Sequence, residues 1–139
     1  MNINTVITRQ LVDDEQRIEQ TARLFGIHFP LRLEPAVYAL AGKLSPDYNG
    51  GYWEFYTLSN GGFYMAPYAD QDFQVICHNG YAGDLSADAL GITVCLYAYS
   101  HLSFSDIAGF AETCAQQYHW LREYMLDHPE AQSILAAID

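Results

Sequence analysis

Three polar residues in the central part of the chain, Glu54, His78 and Asp84, are of the types that act as general acids and bases. If the fold brought them together at the end of a sheet, they could activate a water molecule, so a small hydrolase is one hypothesis. The sequence gives it little support, because it contains no G-x-S-x-G, H-E-x-x-H, P-loop or G-x-G-x-x-G motif. We therefore predict no catalytic residue and keep the hydrolase as the alternative.

The histidines and cysteines show no metal-binding spacing. No two histidines fall at positions i and i+4 of one predicted helix, and Cys77 and His78 would point to opposite faces of a strand. The cysteines Cys77, Cys95 and Cys114 form an odd set without a C-x-x-C spacing, which argues against a disulfide framework. We expect three buried thiols, no metal site and no cofactor.

Charge is distributed unevenly along the sequence, whose net charge is −11. Residues 1–43 contain five basic and five acidic residues, whereas residues 44–139 contain twelve acidic residues and a single basic one, Arg122. The negative electrostatic potential of residues 44–139 repels nucleic acid and anionic membranes and favours a basic partner. An acidic surface can also serve only to keep a protein soluble.

The length of 139 residues suits a single domain, spanning 1–139, with a sizeable core. Residues 1–10 are polar and mixed, unlike a secretory leader. The longest apolar run, residues 89–99, is shorter than the roughly 20 residues that a membrane-spanning helix needs. We therefore expect a cytoplasmic protein without a membrane segment.

The most distinctive stretch is residues 50–67, GGYWEFYTLSNGGFYMAP, which is rich in aromatic side chains. The Asn-Gly pair at 60–61 separates two runs of strand-forming residues and tolerates the positive φ angles of a two-residue hairpin loop. With that loop, Tyr56 would face Met65. Gly62 also permits a three-residue loop, which shifts the register by one residue.

The aromatic residues of this hairpin are candidates for binding. They could stack nucleic-acid bases, but such surfaces carry basic residues, and residues 44–121 contain none. Aromatic side chains also anchor protein contacts, or they fill a core. The candidates are Tyr52, Trp53, Tyr56 and Tyr64.

The segments after the hairpin predict a further strand and a long helix. Residues 72–78 alternate apolar and polar, which predicts a third strand, and Asn79-Gly80 repeats the hairpin signal. Ser86 can cap a helix over residues 87–102 that is apolar almost all round, and this predicts a buried central helix. A core strand over residues 92–97 is the alternative.

Four more helices follow from apolar spacing and from prolines. A helix over residues 13–25 would turn Ile18 to the core and Arg17 to water. The others begin at Glu34-Pro35, at Ser105-Asp106 and at Pro129. The predicted fold is α+β: a small antiparallel β-meander of three to four strands, packed with about five helices that include the buried central helix.

Three segments resemble those of a known family. They are GGYWEFYTLSNGGFYMAP at residues 50–67, NGYAGDLSADALGI at 79–92 and HPEAQSILAAID at 128–139. Together they resemble the ArdB/KlcA antirestriction proteins of bacterial plasmids and genomic islands, from about Tyr48 to the end of the chain. The resemblance implies a protein that protects incoming DNA by blocking type I restriction endonucleases of the host.

This resemblance and the acidic second half together predict inhibition by protein contact rather than by catalysis. The partner would be the host type I restriction-modification complex or an accessory host protein, without direct contact to nucleic acid. Twelve acids are too sparse to mimic a DNA duplex, which carries one charge per ~1.7 Å of its axis. A homodimer whose interface is the aromatic face of the hairpin is a further hypothesis. The carboxylates predicted to meet the partner are Glu54, Asp70, Asp72, Asp84, Asp88 and Asp139.

Overall fold

The computed structural model describes residues 6–139. Within this range the chain forms five strands and five α-helices, so the predicted α+β class is confirmed. The strands are β1 (Arg9–Leu11), β2 (Trp53–Leu58), β3 (Phe63–Pro67), β4 (Asp72–Ile76) and β5 (Ala82–Ser86). The helices are α1 (Arg17–Phe25), α2 (Glu34–Leu44), α3 (Ala87–Leu102), α4 (Ala108–Met125) and α5 (Ala131–Ile138).

The strands divide between two antiparallel sheets, in the orders β1-β2-β3 and β4-β5, where the sequence predicts one meander. Carboxylates occupy both edges of the smaller sheet. The Gln74 N–H of β4 donates to Asp47 Oδ2 at 2.8 Å, and the Ser86 N–H of β5 donates to Glu130 Oε1 at 3.0 Å. These two N–H groups would otherwise be available to pair with a neighbouring strand. Because the carboxylates accept their hydrogen bonds, β4 and β5 remain a separate pair.

The β2–β3 hairpin has the three-residue loop, at residues 59–61, and not the two-residue loop. Tyr56 therefore pairs with Tyr64 rather than with Met65. Gly61 has a φ angle of +104°, which places the left-handed position at the last loop residue.

The side chain of Asn60 explains this register. Its Oδ1 accepts a hydrogen bond from the Gly62 N–H at 3.0 Å, and its Nδ2 donates to the Trp120 carbonyl of α4 at 3.0 Å. Asn60 thus stabilises the longer loop through its side chain, as asparagine does in many turns, and fastens the hairpin tip to α4.

β1 is a strand that the sequence did not predict. It pairs antiparallel with β2, with Arg9 opposite Leu58 and Leu11 opposite Tyr56. All three of its residues are exposed, so no apolar alternation marks it in the sequence.

α3 has the predicted bounds and is the buried helix at the centre of the fold. The Ser86 hydroxyl oxygen accepts from the Ala89 N–H at 3.1 Å and caps the helix, as predicted. A Cβ atom at Gly91 would lie 2.4 Å from the Cβ of Ala66, so this glycine lets α3 lie directly on β3. The alternative of a core strand over residues 92–97 is wrong.

α1 differs most from its prediction. It begins at Arg17, after a 3₁₀ turn over Asp14–Gln16. The Ile18 side chain, predicted to face the core, is 85% exposed. Arg17, predicted to face water, instead places its guanidinium over the Phe55 ring at 4.1 Å and donates to the Trp53 carbonyl at 2.6 Å. The contacts with Phe55 and Trp53 therefore hold the Arg17 side chain against β2, and Ile18, the next residue, faces solvent.

The remaining helices follow their predictions closely. α2 begins at Glu34 as predicted, directly after a π-helical turn over Phe29–Leu33. α4 and α5 begin at Ala108 and Ala131, slightly later than predicted. Ser105 does not cap α4, and its buried hydroxyl lacks a hydrogen-bond partner among the described residues.

All three cysteines are buried and free, as predicted. None of the described helices is long and apolar enough to cross a membrane.

Candidate partner-binding site

An open cleft lies beside the start of α3, bordered by β1, β2 and the loop that follows β3. Its volume is about 220 Å³. The polar and aromatic residues that line it are Arg9, Glu54, Tyr56, Tyr68, Asp70 and Asp88. We call it the acidic cleft. It brings together three of the six carboxylates that the sequence predicted to meet a partner.

Asp88 is the centre of a hydrogen-bonded network in the acidic cleft. Its Oδ1 accepts from Arg9 Nη1 and from the Tyr64 hydroxyl, both at 2.7 Å, and its Oδ2 lies 2.9 Å from His128 Nε2. Burial alone would raise the pKa of Asp88. The hydrogen bonds from His128 and Tyr64 and the charge of Arg9 outweigh burial and hold this pKa below its ordinary value of 3.8. Asp88 is therefore charged at neutral pH, but its charge is compensated within the molecule.

The hydrogen bonds of His128 determine its tautomer. Its Nδ1 accepts a hydrogen bond from the Glu130 N–H at 3.0 Å. In the neutral ring Nε2 therefore carries the proton and donates a hydrogen bond to Asp88. The Glu130 carboxylate accepts from both the N–H and the hydroxyl of Ser86. The segment between α4 and α5 therefore fixes the start of α3. Arg9, His128 and Glu130 were not predicted as members of the site.

The outer part of the acidic cleft is built around Tyr56. The guanidinium of Arg9 lies 4.3 Å from the centre of the Tyr56 ring, and Glu54 Oε1 accepts from the Tyr56 hydroxyl at 2.9 Å. Burial and the Glu54 hydrogen bond raise the pKa of Tyr56 to about 12, so its hydroxyl keeps its proton at neutral pH. Tyr68 and Asp70 are exposed. Because Arg9 already covers the Tyr56 ring, the exposed Asp70 carboxylate and Tyr68 ring are the groups that best suit an ammonium or guanidinium group of a partner.

The other predicted carboxylates lie outside the acidic cleft. Asp72 is opposite Ser86 and Asp84 is opposite Gln74. The two aspartates are therefore diagonal neighbours, roughly 7–8 Å apart, on the exposed face of the β4–β5 pair. Asp139 is exposed and directly follows α5. The structure thus divides the six residues into a cleft set, a sheet pair and one terminal residue.

Two of the four candidate aromatic residues belong to the core. Trp53, on β2, is 2% exposed. Tyr64, on β3, is fully buried because both faces of that strand are covered. Trp53 and Tyr64 therefore fill the core, the other role that the sequence left open for them. Partner contact stays a prediction for Tyr52, which is exposed, and for Tyr56, which is half-buried.

Glu54, His78 and Asp84 do not share a site. Asp84 pairs with Gln74 within the β4–β5 sheet, whereas His78 lies in the turn beyond Ile76, the last residue of β4. Glu54 lies in the other sheet. The acidic cleft, which Glu54 lines, contains neither His78 nor Asp84, so this cleft does not gather the three residues into one acid–base site.

A comparison with protein families gives the class of this protein. The model of the antirestriction protein family matches residues 46–139, well over half of the chain. The chain belongs to the antirestriction protein family.

Individual relatives are similar over nearly the whole chain. The antirestriction protein KlcA of Escherichia coli is 42% identical over 136 residues, which cover 96% of this chain and 95% of that protein. The uncharacterized protein YafX of Escherichia coli strain K12 is 44% identical over 132 residues, or 92% of this chain and 85% of that protein.

A solved structure from work on the KlcA and ArdB proteins has the same fold. It matches with a TM-score of 0.90 and 40% sequence identity, and each chain covers 100% of the other. That work describes a novel fold, with antirestriction activity against type I DNA restriction systems in vivo but not in vitro.

Proposed function

We propose that this protein protects incoming mobile-element DNA by inhibiting type I restriction endonucleases in the bacterial cytoplasm. Membership of the antirestriction family supports this function. So does the 40% identity, over the full chain, to a structure from the KlcA and ArdB work, which reports activity against type I systems in vivo.

Inhibition proceeds by protein contact and not by catalysis. Glu54, His78 and Asp84 lie apart, and the carboxylate of Asp88 is engaged by its own neighbours. Burial raises the pKa of the Tyr56 and Tyr64 hydroxyls above the ordinary value, which is already well above neutral pH, so neither hydroxyl is activated as a base. These features suit the binding of a cationic group better than the breaking of a bond.

The acidic cleft is the observation that carries the proposal. It presents Glu54 and Asp70 beside aromatic rings, and Asp72 and Asp84 lie on the exposed face of the neighbouring sheet. Asp139 adds a further exposed carboxylate at the end of α5. The partner surface is therefore basic. A net charge of −11 disfavours DNA itself as that partner.

The partner is the type I restriction-modification complex or an accessory host protein. An accessory protein would account for the behaviour of KlcA and ArdB, which are active in vivo but not in vitro, because a purified reaction lacks it. In this view the acidic cleft binds a protein that is present only in the cell.

A charge-reversal experiment tests the acidic surface, by which we mean the acidic cleft together with the exposed face of the β4–β5 sheet. The triple variant Asp70→Lys, Asp72→Lys, Asp84→Lys changes three exposed residues and should abolish protection of unmodified phage DNA in cells that carry a type I system. The control variant Asp106→Lys, Glu112→Lys, Glu123→Lys makes the same change of net charge at three exposed residues elsewhere and should retain protection. Full protection by the first variant, with unchanged thermal unfolding, would rule out the acidic surface as the contact.

A further inference from the structure

A second concave surface lies between α1 and the π-helical turn. Its volume is about 520 Å³, more than twice that of the acidic cleft. Apolar side chains dominate its lining, with Phe29 and Phe55 buried and the others toward the surface: Ile18, Ala22, Ile27 and Pro30. We call this surface the apolar groove. All of these residues except Phe55 precede the segment that the family model matches.

The rim of the apolar groove exposes large side chains that the fold does not use. Ile18 is 85% exposed and Ile27 is 66% exposed. Exposed apolar side chains that border a concave apolar surface mark an interaction site more often than isolated ones do. At 85% exposure most of the Ile18 side chain faces solvent, so a ligand small enough to lie inside the groove would cover little of it.

The charges of the apolar groove restrict its occupant. Arg17 is the basic residue of its lining, and this side chain is turned inward, donating to the Trp53 carbonyl at 2.6 Å and to the Tyr52 hydroxyl at 2.8 Å. Asp14, whose side chain is 75% exposed, and Glu34 also line the groove. Asp14 Oδ1 lies 3.4 Å from Arg17 Nε, and Glu34 Oε2 accepts from the Tyr38 hydroxyl at 3.0 Å, so both carboxylates are partly compensated. With two carboxylates against one guanidinium, the lining still carries an excess of one negative charge, which favours basic residues over an anionic ligand.

We infer that the apolar groove docks an apolar segment of a partner protein, with lysine or arginine residues flanking that segment. The apolar side chains cover Phe29, Phe55 and the two isoleucines, and the basic residues face Asp14 and Glu34. This inference rests on the proposed function in one respect, since it takes the partner to be a protein of the restricting cell. The groove is then a second contact surface, of different chemistry from the acidic cleft.

A double variant and a matched control test the inference in cells. Ile18→Asp with Ile27→Asp places two charges on the rim without touching the core, and should reduce protection of unmodified phage DNA at least ~10-fold, as expected when about 1.4 kcal/mol of contact free energy is lost. Phe104→Asp with Leu126→Asp is the control, because Phe104 is 87% exposed, Leu126 is 48% exposed and neither lines the groove. It should protect like the unaltered protein.

Photo-crosslinking identifies the occupant independently of protection. With p-benzoylphenylalanine in place of Ile27, irradiation of restricting cells should give a discrete adduct, absent when the probe replaces Phe104. Mass spectrometry should place the link in an apolar segment with basic flanks. If the unaltered protein gives no protection, the proposed function fails, and the crosslink still reports on the groove.

Several results would overturn the inference. A link to a second copy of this chain would make the groove a self-interface, and a small molecule seen in the native mass spectrum of the purified protein would make it a ligand pocket. A segment with acidic flanks would contradict the charge argument. Full protection by the double variant, or equal adducts from positions 27 and 104, would show that nothing docks there.

Discussion

The acidic cleft and the apolar groove use their side chains in opposite ways. In the cleft, Asp88 is bonded to Arg9, Tyr64 and His128, and so it joins β1, β3, α3 and the segment before α5. In the groove, Ile18 is 85% exposed and contributes little to the core. The cleft therefore stabilises the fold as well as presenting charge, whereas the rim of the groove is free to serve a partner alone.

This difference determines how variants of the two surfaces are interpreted. A substitution in the network of Asp88 changes the free energy of unfolding, so a loss of protection would not by itself identify a contact residue. A substitution at an exposed rim residue such as Ile18 is expected to leave the fold intact, in which case a loss of protection reports on binding. Three stability measurements test this contrast, in order of decreasing effect.

Asp88→Ala should lower the free energy of unfolding by roughly 3 kcal/mol, because it leaves Arg9, Tyr64 and His128 without their shared acceptor. Urea unfolding at pH 7 measures the change. The control is Asp84→Ala on the exposed face of β5, which should stay within about 0.5 kcal/mol of the unaltered protein. Equal effects of the two substitutions would show that the network contributes nothing to stability.

The contribution of Asp88 should also depend on pH. Its pKa in the folded protein lies below the ordinary value of 3.8, so its stabilising effect is complete above about pH 4 and is lost as the pH falls through the folded-state value. Asp88→Asn, which cannot titrate, should be less stable than the unaltered protein by roughly 1–2 kcal/mol at pH 7.

Urea unfolding of both proteins at pH 7, 5, 4 and 3 measures this pH dependence. The difference between them should be smaller at pH 3 than at pH 5, because the Asp88 carboxylate takes up a proton in the unfolded chain before it does so in the folded protein. A difference that is the same at pH 3 and pH 7 would mean that the carboxylate is not stabilised in its charged form.

Local sequence signals predicted local structure well, and the two Asn-Gly turns show where such prediction ends. Asn60 and Asn79 each lie in a hairpin loop, as predicted. Each side chain also accepts from a backbone N–H two residues later and donates to a carbonyl of a C-terminal helix, that of Trp120 in one case and that of Ala136 in the other. The turn follows from residue type, whereas the tether depends on packing that no local pattern encodes.

The same limit applies to the acidic cleft. Glu54, Asp70 and Asp88 were predicted as candidates from charge alone, and Ser86 was predicted as the cap of α3. Arg9 lies 79 residues before Asp88, and His128 lies 40 residues after it. Contacts over such separations arise from tertiary packing, so the sequence indicated the carboxylates of the site but not the groups that neutralise one of them.

The smallest change in stability should come from Ile18→Asp. The side chain is 85% exposed, so little apolar burial is lost, and an acid in the first turn of α1 interacts favourably with the helix dipole. The free energy of unfolding should stay within about 0.5 kcal/mol of the unaltered protein, measured by urea unfolding at pH 7. A loss above ~1 kcal/mol would place Ile18 among the residues that hold the fold, and the contrast between groove and cleft would then disappear. Unchanged stability together with weakened protection would instead assign the exposed isoleucine to a partner, because no other role in the folded chain would require it.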